Sequence, residues 1–144
     1  MSILENLNAV FTLETQEQEP PATKETIREL QGFSSIDVPS DYLEIIQHCT
    51  EAEINVNNEI YIRIWSPAGC IEMNEAHNIQ KYIPNSLAIG DDEGGKVLLY
   101  ANGKEGFGLY MVDFGDLDIE EAIKISPSLK LLLMDGVGVE KLLL

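Results

Sequence analysis

The chain has 144 residues, 44% hydrophobic and 24% charged, the balance of an ordinary water-soluble globular protein. Its 25 Asp plus Glu against 9 Lys plus Arg give a net charge of −16, a field that repels nucleic acid and anionic membrane and attracts basic partners. The Lys/Arg patch needed to bind phosphates is missing, and no apolar run approaches the ~20 residues of a membrane-spanning helix.

At this length the simplest organisation is one domain over residues 1–144. Such a domain buries about 68–70% of the surface of its unfolded chain. The N-terminus lacks the basic start and apolar core of a signal peptide, because Glu5 and Glu14 bracket only Ile3–Leu13. A cytoplasmic location is therefore expected. Cys49 and Cys70 are too few for a disulfide framework and have no metal-ligand spacing, which reads as two reduced thiols in or near the core.

In chain order, Ile3, Leu4, Leu7, Val10 and Phe11 recur at helical spacing and predict a short amphipathic helix. Thr15–Pro21 is polar, acidic and closed by Pro-Pro, an extended connector. Thr23 is an N-cap for a helix with Ile27, Leu30 and Phe33 on its apolar face and Gly32 closing it. Pro39 with Ser40 or Asp41 opens the next helix, whose buried side is Tyr42, Leu43, Ile45, Ile46 and Cys49.

The period then falls toward two. Glu53–Val56 and Ile60–Trp65 read as strands around Asn57-Asn58, with Ile60, Ile62 and Ile64 on one side and Tyr61, Arg63 and Trp65 on the other. Ser66–Gly69 breaks the pattern, and Cys70–His77 is a short helix anchored by Ile71. Ser86–Ile89 is a third strand. The turn Gly90–Gly95 leads into Lys96–Tyr100, Asn102-Gly103 marks another hairpin turn, and Phe107–Asp113 follows. Asp116 or Asp118 caps a helix through about Lys124, and Pro127 introduces a last helical region, Ser128–Met134. The expected fold is α+β: a twisted antiparallel meander packed with helices from the N- and C-terminal parts.

Catalytic patterns are lacking. His48 and His77 lie in no nucleophile or zinc motif. Asp91-Asp92-Glu93 is contiguous, whereas a calcium loop needs oxygens at alternating positions and a distant bidentate Glu, so no metal site is assigned. Gly94 and Gly95 precede a strand and not a helix, which excludes a phosphate loop. No cofactor is expected.

These elements resemble the SUKH superfamily, which includes the fungal cell-wall-assembly regulators and many bacterial immunity proteins. The pieces that carry the resemblance are Val38-Pro39-Ser40-Asp41-Tyr42, Ile62-Arg63-Ile64-Trp65, Glu72 with Asn74, Pro84-Asn85, Leu87–Asp91, Gly94-Gly95, Leu99-Tyr100 and Asp116–Leu133. They cover about residues 22–134 and leave 1–21 as an extension and linker. Cys49-Thr50-Glu51 stands where the family carries Asn-Gly-Glu.

The resemblance implies a non-enzymatic binding domain, in bacteria an immunity protein that neutralises a cognate toxin, frequently a nuclease. Nuclease toxins carry basic clefts, which an acidic inhibitor is suited to block. The expected partner face comprises Asp91, Asp92, Glu93, Asp116 and Asp118, with Tyr61 and Trp65 as further contacts. A scaffold or regulator with no toxin partner is the alternative. The sequence leaves the oligomeric state open.

Overall fold

The computed structural model describes residues 2–14, 16 and 18–144. Among them run seven strands: β1 (Phe11–Leu13), β2 (Ala52–Val56), β3 (Ile60–Ile64), β4 (Leu87–Asp91), β5 (Lys96–Gly103), β6 (Gly106–Asp113) and β7 (Ile123–Ser126). Helices α1 (Lys24–Phe33) and α2 (Ser40–His48) connect β1 to β2, and α3 (Pro67–Ala76) and α4 (Ile79–Tyr82) connect β3 to β4. Helices α5 (Leu129–Asp135) and α6 (Val139–Leu142) follow β7. The strands form one curled antiparallel sheet in sequence order, so the fold is α+β. A strand precedes the first helices, where the sequence suggested helices alone.

The local signals explain most elements. Thr23 and Thr26 form a reciprocal capping box at the start of α1. That helix runs through Gly32 and ends at Ser34, because Gly32 keeps helical dihedrals and gives no left-handed stop. Asn57 and Asn58 turn the β2–β3 hairpin with φ of 54° and 57°, a conformation asparagine tolerates. Alternation in β2 buries Ala52, Ile54 and Val56 while Glu53 and Asn55 face outward. Strands β4 to β6 are instead buried on successive residues, covered on both faces.

Four readings of the sequence are corrected. The expected N-terminal helix is a set of turns followed by β1. Asn6 Nδ2 donates to the Ser2 carbonyl at 2.8 Å and Asn8 Oδ1 accepts from the Val10 N–H at 3.2 Å, local bonds that compete with a helix. Ile3, Leu4 and Phe11 are still buried. Helix α3 begins at Pro67, capped by Ser66, and turns Cys70 and Asn74 inward while Ile71 is half-buried. The third hairpin turns at Lys104-Glu105, because Gly103 still pairs with Gly106. The helix expected after Asp116 or Asp118 is a single turn followed by β7, whose Ile-Lys-Ile alternation suits a strand beside β6. Of the Thr15–Pro21 connector, Thr15 and Glu17 lie outside the described residues, and Glu19 bridges to Thr50.

The helices are fixed to the sheet by buried polar bonds. The Tyr100 hydroxyl donates to Asp41 Oδ2 at 2.7 Å and accepts the Leu129 N–H at 2.8 Å, joining the starts of α2 and α5. Asn74 Nδ2 donates to the Ala88 carbonyl at 2.8 Å while its Oδ1 accepts the Ala88 N–H at 3.0 Å, joining α3 to β4. Both cysteines are free and buried, and burial pushes the Cys70 thiol up to about 12. Next to Ala88, β4 bulges, and Gly90 passes so near β3 that a Cβ would lie 2.3 Å from the Arg63 carbonyl oxygen.

Two stability measurements check these points. Asn74→Leu orphans the Ala88 N–H and leaves its carbonyl only the weak Cys70 thiol donor, so the urea midpoint falls by the equivalent of about 1–3 kcal/mol. Gly90→Ala pushes β3 and β4 apart and costs about 1–3 kcal/mol in the same assay.

Candidate functional site

The β4–β5 hairpin places Asp91, Asp92 and Glu93 at one end of the sheet. The Asp91 and Asp92 carboxylates also shape the turn. Asp91 Oδ1 accepts the Glu93 N–H at 2.9 Å, and its Oδ2 accepts the Trp65 indole N–H at 2.9 Å. Asp92 Oδ1 accepts the N–H groups of Gly94 at 2.8 Å and Lys96 at 2.9 Å. Glu93 adopts a left-handed φ of 57°. The turn is thus an acid-capped hairpin tip.

Behind the tip, Arg63 on the outer side of β3 gathers the neighbouring acids. Its Nη1 donates to the Glu51 carbonyl at 3.0 Å and its Nη2 to Glu53 Oε2 at 3.1 Å, with Glu93 Oε1 at 4.0 Å. Glu51 is also left-handed, with φ of 52°, and its carboxylate accepts the Ser66 N–H at the start of α3. Both strained glutamates therefore converge on this arginine; left-handed non-glycine residues of this kind cost about 1–3 kcal/mol each. Partial burial, then the hydrogen bond and charge of Glu53, push the Glu93 carboxyl up to about 7 against the pull of Arg63. Near neutrality the tip carries less than its formal charge.

Asp113, Asp116 and Asp118 come to the same end of the sheet by way of β6. Lys96 pairs with Asp113, and the Phe114 N–H donates to the Gly95 carbonyl at 2.9 Å. Lys96 and Asp116 line one groove with Met111 and Ile123. Asp113 Oδ1 caps Gly115 at 2.7 Å and Asp118 Oδ1 caps Glu120 at 2.9 Å. Among the described residues, the Asp116 carboxylate has neither a hydrogen-bond nor an ion-pair partner.

Tyr61 faces outward and is 41% exposed, beside Arg63 on β3. Trp65, expected on that outer side, is only 3% exposed. The strand ends at Ile64 and the chain turns into α3, so alternation no longer directs Trp65 outward. Its buried indole N–H is satisfied by Asp91, which makes Trp65 a support for the hairpin. Sequence reasoning missed Glu53 and Asp113, whose place at this end follows from strand register.

Among the described residues no His, Cys, Asp or Glu group of three or more is placed to hold a metal ion, and no helix is long and apolar enough to cross a membrane. The arrangement offers hydrogen-bond acceptors and negative potential to a cationic surface.

A curled antiparallel sheet with its helical connections, presenting acids at one end, defines an α+β protein. The family model described as SMI1 / KNR4 family (SUKH-1) matches residues 21–135, and the chain belongs to that family. Strand β1 and helix α6 lie outside the matched span. No curated protein matches the chain.

The Glu93 carboxyl gives a pH test. Folded, it holds its proton to about 7; unfolded, it releases it near 4.5. Folding therefore takes up a proton in that window, and this group's contribution to stability declines as pH rises through it. Glu93→Gln removes the decline and is more stable than the parent above pH 7 by less than about 1 kcal/mol, since solvent screens the group. Thermal melts at pH 5 and pH 8 read the difference.

Proposed function

We propose that this chain is a non-catalytic immunity protein that neutralises a toxin domain with a basic surface, a nuclease in the leading case, by direct binding. The observation that carries the reading is the gathering of Asp91, Asp92, Glu93, Asp113, Asp116 and Asp118 at one end of the sheet of a chain with net charge −16. Membership of the SMI1 / KNR4 family supports a protein-binding role.

The physical mechanism is steering followed by occlusion. Acids on one surface accelerate encounter with a cationic cleft, and close fit then excludes the toxin's phosphate-bearing substrate. Tyr61, on the outer side of β3, supplies the amphipathic ring such interfaces use. Trp65 and the Arg63 web contribute by holding the acidic hairpin in shape. The site needs no cofactor.

Co-expression with a toxin domain, should one be encoded beside this chain, restores growth if the proposal holds. A chain that gives no protection, and instead retains a host protein of unrelated activity, identifies a scaffold or regulator. With the purified toxin, the combined change Asp92→Asn, Glu93→Gln, Asp116→Asn and Asp118→Asn slows association about ten-fold or more at low salt and flattens its salt dependence. Unchanged association rates remove this end of the sheet from the interface.

A further inference from the structure

An open groove of about 510 Å³ lies between the α3–α4 junction and the segment that follows β6. His77 and Phe114 pack along it with ring centroids 4.4 Å apart and planes tilted by 35°. Tyr82, 52% exposed, forms part of its lining, and Asp116 sits at its rim with the uncommitted carboxylate described above. The Lys81 ammonium is 5.5 Å from the Tyr82 ring centroid, an exposed cation of this chain that an incoming guanidinium displaces from that face.

We propose that this groove is a subsite for an arginine side chain of the basic partner, resting on the reading of the acidic end as a partner face. Three features select a guanidinium. The exposed Tyr82 ring offers an electron-rich face to a flat cation that displaces the Lys81 ammonium. An unpartnered carboxylate at the rim accepts the paired N–H donors of that same group, a geometry an ammonium does not reproduce. The location is continuous with the acidic hairpin, because Phe114 is bonded through its backbone to Gly95. An arginine delivered to the hairpin by long-range attraction thus meets an adjoining place to be held.

The subsite can be probed on the full chain without the toxin. In a two-dimensional NMR titration, N-acetyl-arginine amide produces saturable shifts at His77, Tyr82, Phe114 and Asp116. The uncharged citrulline analogue binds about ten-fold more weakly or less, since it keeps the shape and loses the charge. Asp116→Asn and Tyr82→Ser, both at exposed positions, each weaken arginine-amide binding several-fold while leaving the melting temperature unchanged. Equal binding of arginine and citrulline amides, shifts confined to Asp91–Gly95, or indifference to both substitutions overturns the subsite. If the groove fails in this way while neutralising the hairpin acids still slows toxin association, the proposed function stands. If the groove binds arginine amide while the chain gives no protection from the toxin, the subsite stands and the immunity reading falls.

Discussion

The pairing of Asn74 with Ala88 is the constraint on which the rest of the structure depends. Strand β3 leaves the sheet at Ile64, and its ladder with β4 reaches only Arg63–Asp91 and Ile64–Gly90. Beyond that point both backbone groups of Ala88 need a partner where no strand runs alongside. The amide of Asn74 supplies a donor and an acceptor and so stands in for a strand residue. Its remaining capacity goes to the Cys70 carbonyl and to Gln80, so the buried side chain is fully matched. This bond sets where α3 lies on β4. It lies directly beside the bulge that precedes the acidic hairpin.

From that position the acidic end acquires a division of labour. Asp91, Asp92, Asp113 and Asp118 cap backbone N–H groups and hold their own turns. Their charge is offered outward from a rigid frame, so little conformational entropy is lost when a cation approaches. Glu93 shares its environment with Glu53 and Arg63 and is tuned by them. Asp116 has no such structural duty. Members of one acidic set therefore differ in structural duty, although the composition makes them look interchangeable.

Much of this was legible in the chain. The Gly90–Gly95 hairpin turn could be read because acids and glycines separate two apolar runs too short for anything but strands, although β4 itself runs on to Asp91. Thr23, Pro39 and Ser128 marked helix starts through chemistry that acts within one turn. Other features resisted for physical reasons. The spacing of Ile3, Leu4 and Phe11 records burial, and turns leading into a strand satisfy it as well as a helix does. Trp65 was misdirected because alternation does not announce where a strand ends. Asn74 looks like an ordinary helical polar residue until β3 is seen to depart. His77, Tyr82 and Phe114 meet through topology alone.

Strand β1 and helix α6 fall outside the span shared with the family, and they lie at opposite margins of the sheet. β1 pairs along β2, and only three residues long, it offers little backbone to a neighbouring chain. At the other margin Gly138, with φ of 99°, lies so close over β7 that a Cβ would sit 1.8 Å from the Ile125 carbonyl oxygen. That close approach covers the Ile125 carbonyl on the margin of β7. Bare sheet margins are templates for polymerisation, and these two additions blunt both of them. The flanking segments thus leave little open backbone at either margin of the sheet.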